Sequence, residues 1–127
     1  MARLRVGTAA LGDYLHEQRR AAQLTLRQLA DQAGVSNPYL SQIERGLRRP
    51  SAEVLQQLAK ALRISAETLY VRAGILDADE GGERSVQLAV LADPDLSERQ
   101  RQVLLEIYQS FKRSGDVAES APAGHHL

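Results

Sequence analysis

The residues best suited to chemistry in this 127-residue chain cluster in one stretch, LRQLADQAGVSNPYLSQIERGLRRPS, residues 26–51. Asn37, Pro38, Ser41, Gln42 and Arg45 recur at i, i+1, i+4, i+5 and i+8, which sets them along one face of a helix over 36–45. All but Pro38 are polar, and those near the N-terminal end are short. A carboxamide presents a donor and an acceptor side by side, the pattern that matches a base edge, and a helix with such a face fits the major groove of DNA. Val35, Leu40 and Ile43 fall on the other side, where they can anchor the helix to a core. No other set of residues assembles a reactive site. The absence of Cys excludes disulfides and thiolate metal sites. His16 stands alone beside Glu17 and reads as a surface or partly packed histidine. His125 and His126 have no third ligand at a suitable spacing. The phosphate-binding, nucleophile-elbow and zinc-hydrolase signatures GxxxxGK[ST], GxSxG and HExxH are missing. Neither an enzyme nor a cofactor or metal site is expected.

Every element that must position this face reads as a helix. Leu11, Leu15 and Ala21–Ala22 suggest a first helix over 11–22. Thr25 and Gln28 form a capping box for a second, which carries Leu29, Ala30 and Ala33 and stops at Gly34. Gly34 permits the tight turn between two short helices, and Ala30 is small enough to let them cross closely. Ser36 caps the third helix, with Pro38 in its first turn, where a missing N–H costs nothing, and Gly46 ends it. Pro50-Ser51 opens a fourth helix with Leu55, Leu58, Ala59 and Leu62 on one side. Ser65 caps a fifth, with Leu69, Tyr70 and Ala73, that ends at Gly74. Tyr14 and Tyr70 read as core or rim packing. No sustained alternation and no hairpin signal suggest a strand.

The formal net charge is zero, but it is unevenly spread. Residues 1–74 hold eleven Arg/Lys against six Asp/Glu, a net of +5, and residues 75–127 hold five against ten, a net of −5. The change falls at the acidic, glycine-containing run DADEGGE, residues 77–83. A basic front half suits a polyanion partner. The opening MARLRVGTAALGDYL carries no apolar stretch of signal-peptide or membrane-span length. A cytoplasmic protein, nucleoid-associated when bound to DNA, is the expectation.

TLRQLA, GVS, YLSQIERG, RRPS and the later LAKALRISAETL closely resemble the xenobiotic-response-element family of helix-turn-helix regulators, which includes the phage repressors and Cro proteins, and the resemblance covers about residues 11–74. The resemblance implies an all-α fold: a five-helix repressor-like domain in which the second and third helices form the DNA-binding unit, followed here by a C-terminal helical extension. It implies that Asn37, Pro38, Ser41 and Gln42 occupy the base-reading positions, with Gln42 suited to adenine and Pro38 limited to contact with a thymine methyl. It sets Arg27, Tyr39, Arg45, Arg48 and Arg49 at phosphate-contact positions, where they supply affinity and register. It makes Glu44 a structural acid paired with Arg19. Relatives of this kind bind as dimers on two half-sites roughly 34 Å apart.

The expected organisation is a flexible arm at 1–10, the DNA-binding domain at 11–74, an acidic linker at 75–85, a helical extension at 86–113 and a disordered tail at 114–127. In the extension, Ser85 caps a short helix broken at Pro94, and Ser97 with Gln100 caps a longer one. Val103, Leu104, Ile107, Tyr108 and Phe111 form an apolar stripe on that longer helix. The stripe reads as a homodimerisation surface, with packing against its own chain as the competing reading; 86–113 is also the segment open to a protein partner. Residues beyond 75 are too few and too polar for a ligand-binding module. The leading functional expectation is a sequence-specific transcriptional regulator, a dimeric repressor of double-stranded DNA. An antitoxin that represses its own operon is the alternative, and a pure interaction module the third reading.

Overall fold

A computed structural model of the chain describes residues 6–77 and 84–119, with the backbone alone for 115–119. The described residues form seven helices and no strand: α1 (Thr8–Ala21), α2 (Leu26–Ala33), α3 (Asn37–Glu44), α4 (Ala52–Leu62), α5 (Ala66–Arg72), α6 (Ser85–Ala92) and α7 (Glu98–Glu119). The chain divides into two compact units, one up to Arg84 and the other from Ser85 onward.

In the first unit α2 packs on α3 and α4, α1 on α3 and α5, and α4 on α5. Its core is almost entirely aliphatic: Leu11, Leu15, Leu29, Leu40, Ile43, Leu55, Leu58 and Leu69 are fully buried, and Tyr70 is the one aromatic ring among the buried residues described. Four helices start on a side-chain cap. Thr25, Ser36, Ser51 and Ser65 accept from the backbone N–H three residues ahead, and Gln28 returns the bond to Thr25 to complete the capping box. The five helices also end alike. A residue with positive φ (Gln23, Gly34, Gly46, Arg63 or Gly74) follows each, and paired backbone bonds run back into the last turn, as from Leu47 N to Gln42 O and from Gly46 N to Ile43 O. This is the Schellman closure, which satisfies the free carbonyls of a helix end and reverses the chain. An apolar residue follows each of these five positions: Leu24, Val35, Leu47, Ile64 and Ile75.

Two boundaries differ from the sequence expectation. Helix α1 starts at Thr8, so residues 8–10 are helical and not part of an arm. No capping side chain marks this start. Instead Gly7 (φ 116°) donates its N–H to Arg72 O at 2.9 Å, and Ala10 and Leu11 are buried, so tertiary docking supports the first turn. Helix α7 continues to Glu119, through residues expected in the tail. Gly115 weakens a helix by about 1 kcal/mol relative to Ala but does not end one, and the next proline is Pro122. The expected linker is also partly structured. Ile75 and Leu76 donate to Tyr70 O, Leu76 is buried, and the buried Arg84 donates to the Asp77 carbonyl and lies 3.5 Å from the Glu67 carboxylate. Residues 1–5, 78–83 and 120–127, which hold the rest of the arm, linker and tail, lie outside the described residues.

In the second unit α6 packs on α7. The turn between them is tied by the Arg101 guanidinium, which donates to Asp93 O at 2.8 Å, and by reciprocal bonds between Ser97 and Gln100. Val103, Leu104, Ile107 and Phe111 are exposed, and Tyr108 is half-exposed beneath Lys112. No described helix is long and apolar enough to cross a membrane.

Candidate nucleic-acid interface

Helix α3 is held from below and from one end. Leu40 and Ile43 are buried, which fixes its rotation about its own axis. Pro38 and Arg45 are exposed, and Asn37, Ser41 and Gln42 are half-exposed on the same side of the helix. Within this set, the Asn37 carboxamide oxygen is closed to solvent and has no hydrogen-bond partner.

The end of α3 is fixed by Glu44. The Arg19 guanidinium donates from Nε to Oε2 at 2.7 Å and from Nη2 to Oε1 at 3.1 Å, a bidentate pairing with both side chains largely buried (14% and 6% exposed). Arg19 Nη1 also donates to Leu24 O at 2.9 Å, so one side chain joins α1, the α1–α2 turn and the end of α3. His16 Nδ1 stands 3.0 Å from Glu44 Oε1 and 3.2 Å from Arg19 Nη2; the histidine thus touches this pair from its exposed side. Beside it, α1 meets α3 backbone to backbone at Gly12. A Cβ there would lie 2.5 Å from Glu44 O and 2.7 Å from Ile43 O. Gly12 and the role of His16 escaped the sequence reading. A glycine inside a helical pattern is the signal for such a close approach.

The basic residues surround this helix. Arg27, in the first turn of α2, and Arg45, Arg48 and Arg49 are all exposed. Tyr39, half-buried in the first turn of α3, carries the Arg48 guanidinium over its ring at 5.0 Å from the centroid. Leu47, flanked by these arginines, is 62% exposed. Its counterparts after the other four helices are half-buried. Elsewhere, on α1, the Arg72 guanidinium lies over the Tyr14 ring at 4.4 Å from its centroid. Among the described residues no group of three His, Cys, Asp or Glu side chains is disposed to hold a metal ion.

A capped helix whose partly exposed polar face adjoins four exposed arginines, joined through a three-residue turn to a second short helix, is the geometry of a helix-turn-helix. The helix-turn-helix family model matches residues 15–69. The uncharacterised HTH-type transcriptional regulator Rv0474 of Mycobacterium tuberculosis is 53% identical over 113 residues, 88% of this chain and 79% of that protein. The chain belongs to the helix-turn-helix family of transcriptional regulators. The regulator is also 41% identical over 64 residues to the transcriptional regulator ClgR of Mycobacterium tuberculosis, a match covering 50% of this chain and 57% of ClgR. The crystal structure of the clp gene regulator ClgR from Corynebacterium glutamicum superposes with a TM-score of 0.50 at 35% identity, over 57% of this chain and 77% of that one. The likeness to Rv0474 extends well beyond the domain matched by the family model. The regulator thus shares sequence with that relative outside its DNA-binding elements.

Proposed function

We propose that this regulator is a homodimeric repressor that inserts α3 into the major groove of double-stranded DNA. The supporting observation is the orientation of α3: Leu40 and Ile43 face the core, Glu44 is clamped by Arg19, and the opposite side offers Pro38, Ser41, Gln42 and Arg45. In this reading Asn37, Ser41 and Gln42 read base edges, and Pro38 touches a thymine methyl. Arg27, Arg45, Arg48 and Arg49 take the phosphates and set register, and Tyr39 lies beside them. Arg19 and Glu44 stay in the architecture, since both are nearly closed to solvent.

Dimerisation rests on the exposed stripe Val103, Leu104, Ile107 and Phe111 with Tyr108. Five large apolar or aromatic side chains on one surface of a helix in water favour a partner, and a second copy of the chain presents the same surface. Such a repressor works in the cytoplasm, at the nucleoid. The test is selection of bound duplexes from a random-sequence library by the full chain. The expected outcome is a two-part motif with half-sites about one helical turn apart. The proposal is overturned if the wild type binds no duplex at low salt. A one-part motif together with a monomer in sedimentation overturns the dimer alone.

A further inference from the structure

The contact between Tyr39 and Arg48 joins two positions that the sequence separates by nine residues, and it depends on how α3 ends. The Tyr39 N–H donates to Ser36 Oγ at 3.1 Å, which fixes this residue in the first turn of the helix. At the other end Gly46 takes φ 77°, Leu47 N closes onto Gln42 O at 2.9 Å, and the chain doubles back along α3. The reversal brings the Arg48 guanidinium over the Tyr39 ring. Room for the reversal is limited, because a Cβ on Gly46 would lie 3.2 Å from Ala9 Cα.

We propose that Tyr39 is a positioning residue for DNA binding: its ring holds the Arg48 guanidinium in place for a backbone phosphate, and its hydroxyl makes no contact of its own. The proposal rests on the reading of Arg48 as a phosphate contact. A guanidinium has five N–H donors, more than a contact with one ring can occupy, and those left over are the groups that grip a phosphate. An exposed arginine on a flexible stem loses rotamer freedom when it docks. One already laid on a ring has lost part of that freedom before the DNA arrives. Among the described residues Arg27, Arg45 and Arg49 make no such ring contact, so Arg48 is set apart from them by geometry.

The experiment is a double-mutant cycle in the full chain, using a duplex selected by the wild type from a random-sequence library. Affinity is measured across a salt series, with far-UV dichroism to verify folding. Arg48→Ala is expected to weaken binding and to reduce the magnitude of the salt slope by about one unit. Tyr39→Leu is expected to weaken binding about two- to five-fold, the factor carried by an exposed cation–ring contact. Tyr39→Phe keeps the ring and is expected to bind nearly as wild type. In the Arg48→Ala background Tyr39→Leu is expected to add nothing. If Arg48→Ala leaves affinity and slope unchanged, the phosphate reading of Arg48 fails and takes the proposal with it. If Arg48→Ala weakens binding as expected, two results overturn the positioning role alone. One is equal loss in Tyr39→Phe and Tyr39→Leu, which makes the hydroxyl the contact. The other is strict additivity of Tyr39→Leu and Arg48→Ala.

Discussion

Gly12→Ala is the sharpest probe of how this domain holds its DNA-binding helix. Alanine is the better helix former, and in an interior position it should gain about 1 kcal/mol over glycine. Tertiary structure opposes that gain. The new Cβ would stand 2.5 Å from Glu44 O and 2.7 Å from Ile43 O, about an ångström short of ordinary van der Waals contact. Both obstacles are backbone carbonyls at the end of α3, and the side chain of one of them is clamped by Arg19, so neither can swing aside. Overpacking of this kind costs about 1–3 kcal/mol, and the rigid neighbours place it toward the upper end. The net expectation is a loss of about 1–2 kcal/mol, or a melting point lowered by roughly 5–10 °C. Thermal unfolding followed by far-UV dichroism measures it. DNA affinity should fall as well, because α3 must move to make room. A control is Gly74→Ala, where φ is +82° and nothing lies within 4 Å, so only backbone strain of about 1–2 kcal/mol is at stake and DNA affinity should be kept. A Gly12→Ala protein that melts at or above the wild type refutes the close-approach reasoning.

Other substitutions probe separate links. Thr25→Ala removes the hydroxyl that accepts from the Gln28 N–H at the start of α2 and should cost about 1 kcal/mol in a urea titration. Glu44→Ala leaves the largely buried Arg19 guanidinium without its carboxylate and should cost about 3 kcal/mol, whereas His16→Ala, at the exposed edge of the pair, should cost less than about 1 kcal/mol. Equal losses in these two variants would contradict the assignment of the clamp to Arg19. Ile107→Glu sets a charge in the α7 stripe, and sedimentation should report a monomer where the wild type is a dimer, with the melting point of the first unit unchanged. A wild-type monomer at micromolar concentration would dispose of the dimer.

Much of this protein is legible along the chain because the signals are local. Capping residues, positive-φ glycines and apolar periodicity each act within a few residues, so the helix-turn-helix from Thr25 to Arg45 follows from sequence with its boundaries nearly intact. The same holds for the buried set Leu29, Leu40, Ile43, Leu55 and Leu58. Where helix ends carry no local signal, the sequence misplaces them. Gly7 caps α1 through a bond to Arg72, sixty-five residues away, and no window along the chain contains both. The end of α7 fails differently, since Gly115 weakens the helix at residues 114–119 without ending it.

The site divides along the same line. Residue types and spacing alone determined that one helix carries a polar, arginine-flanked face and that its other side is core. Tertiary structure decided which of those side chains are free to act. It withdrew the Asn37 carboxamide oxygen from solvent, clamped Glu44 under Arg19 with His16 beside it, and laid Arg48 on Tyr39. Each of those outcomes depends on chain reversals that bring distant residues within a few ångströms. Periodicity states which face a residue is on, and only packing states what meets it there.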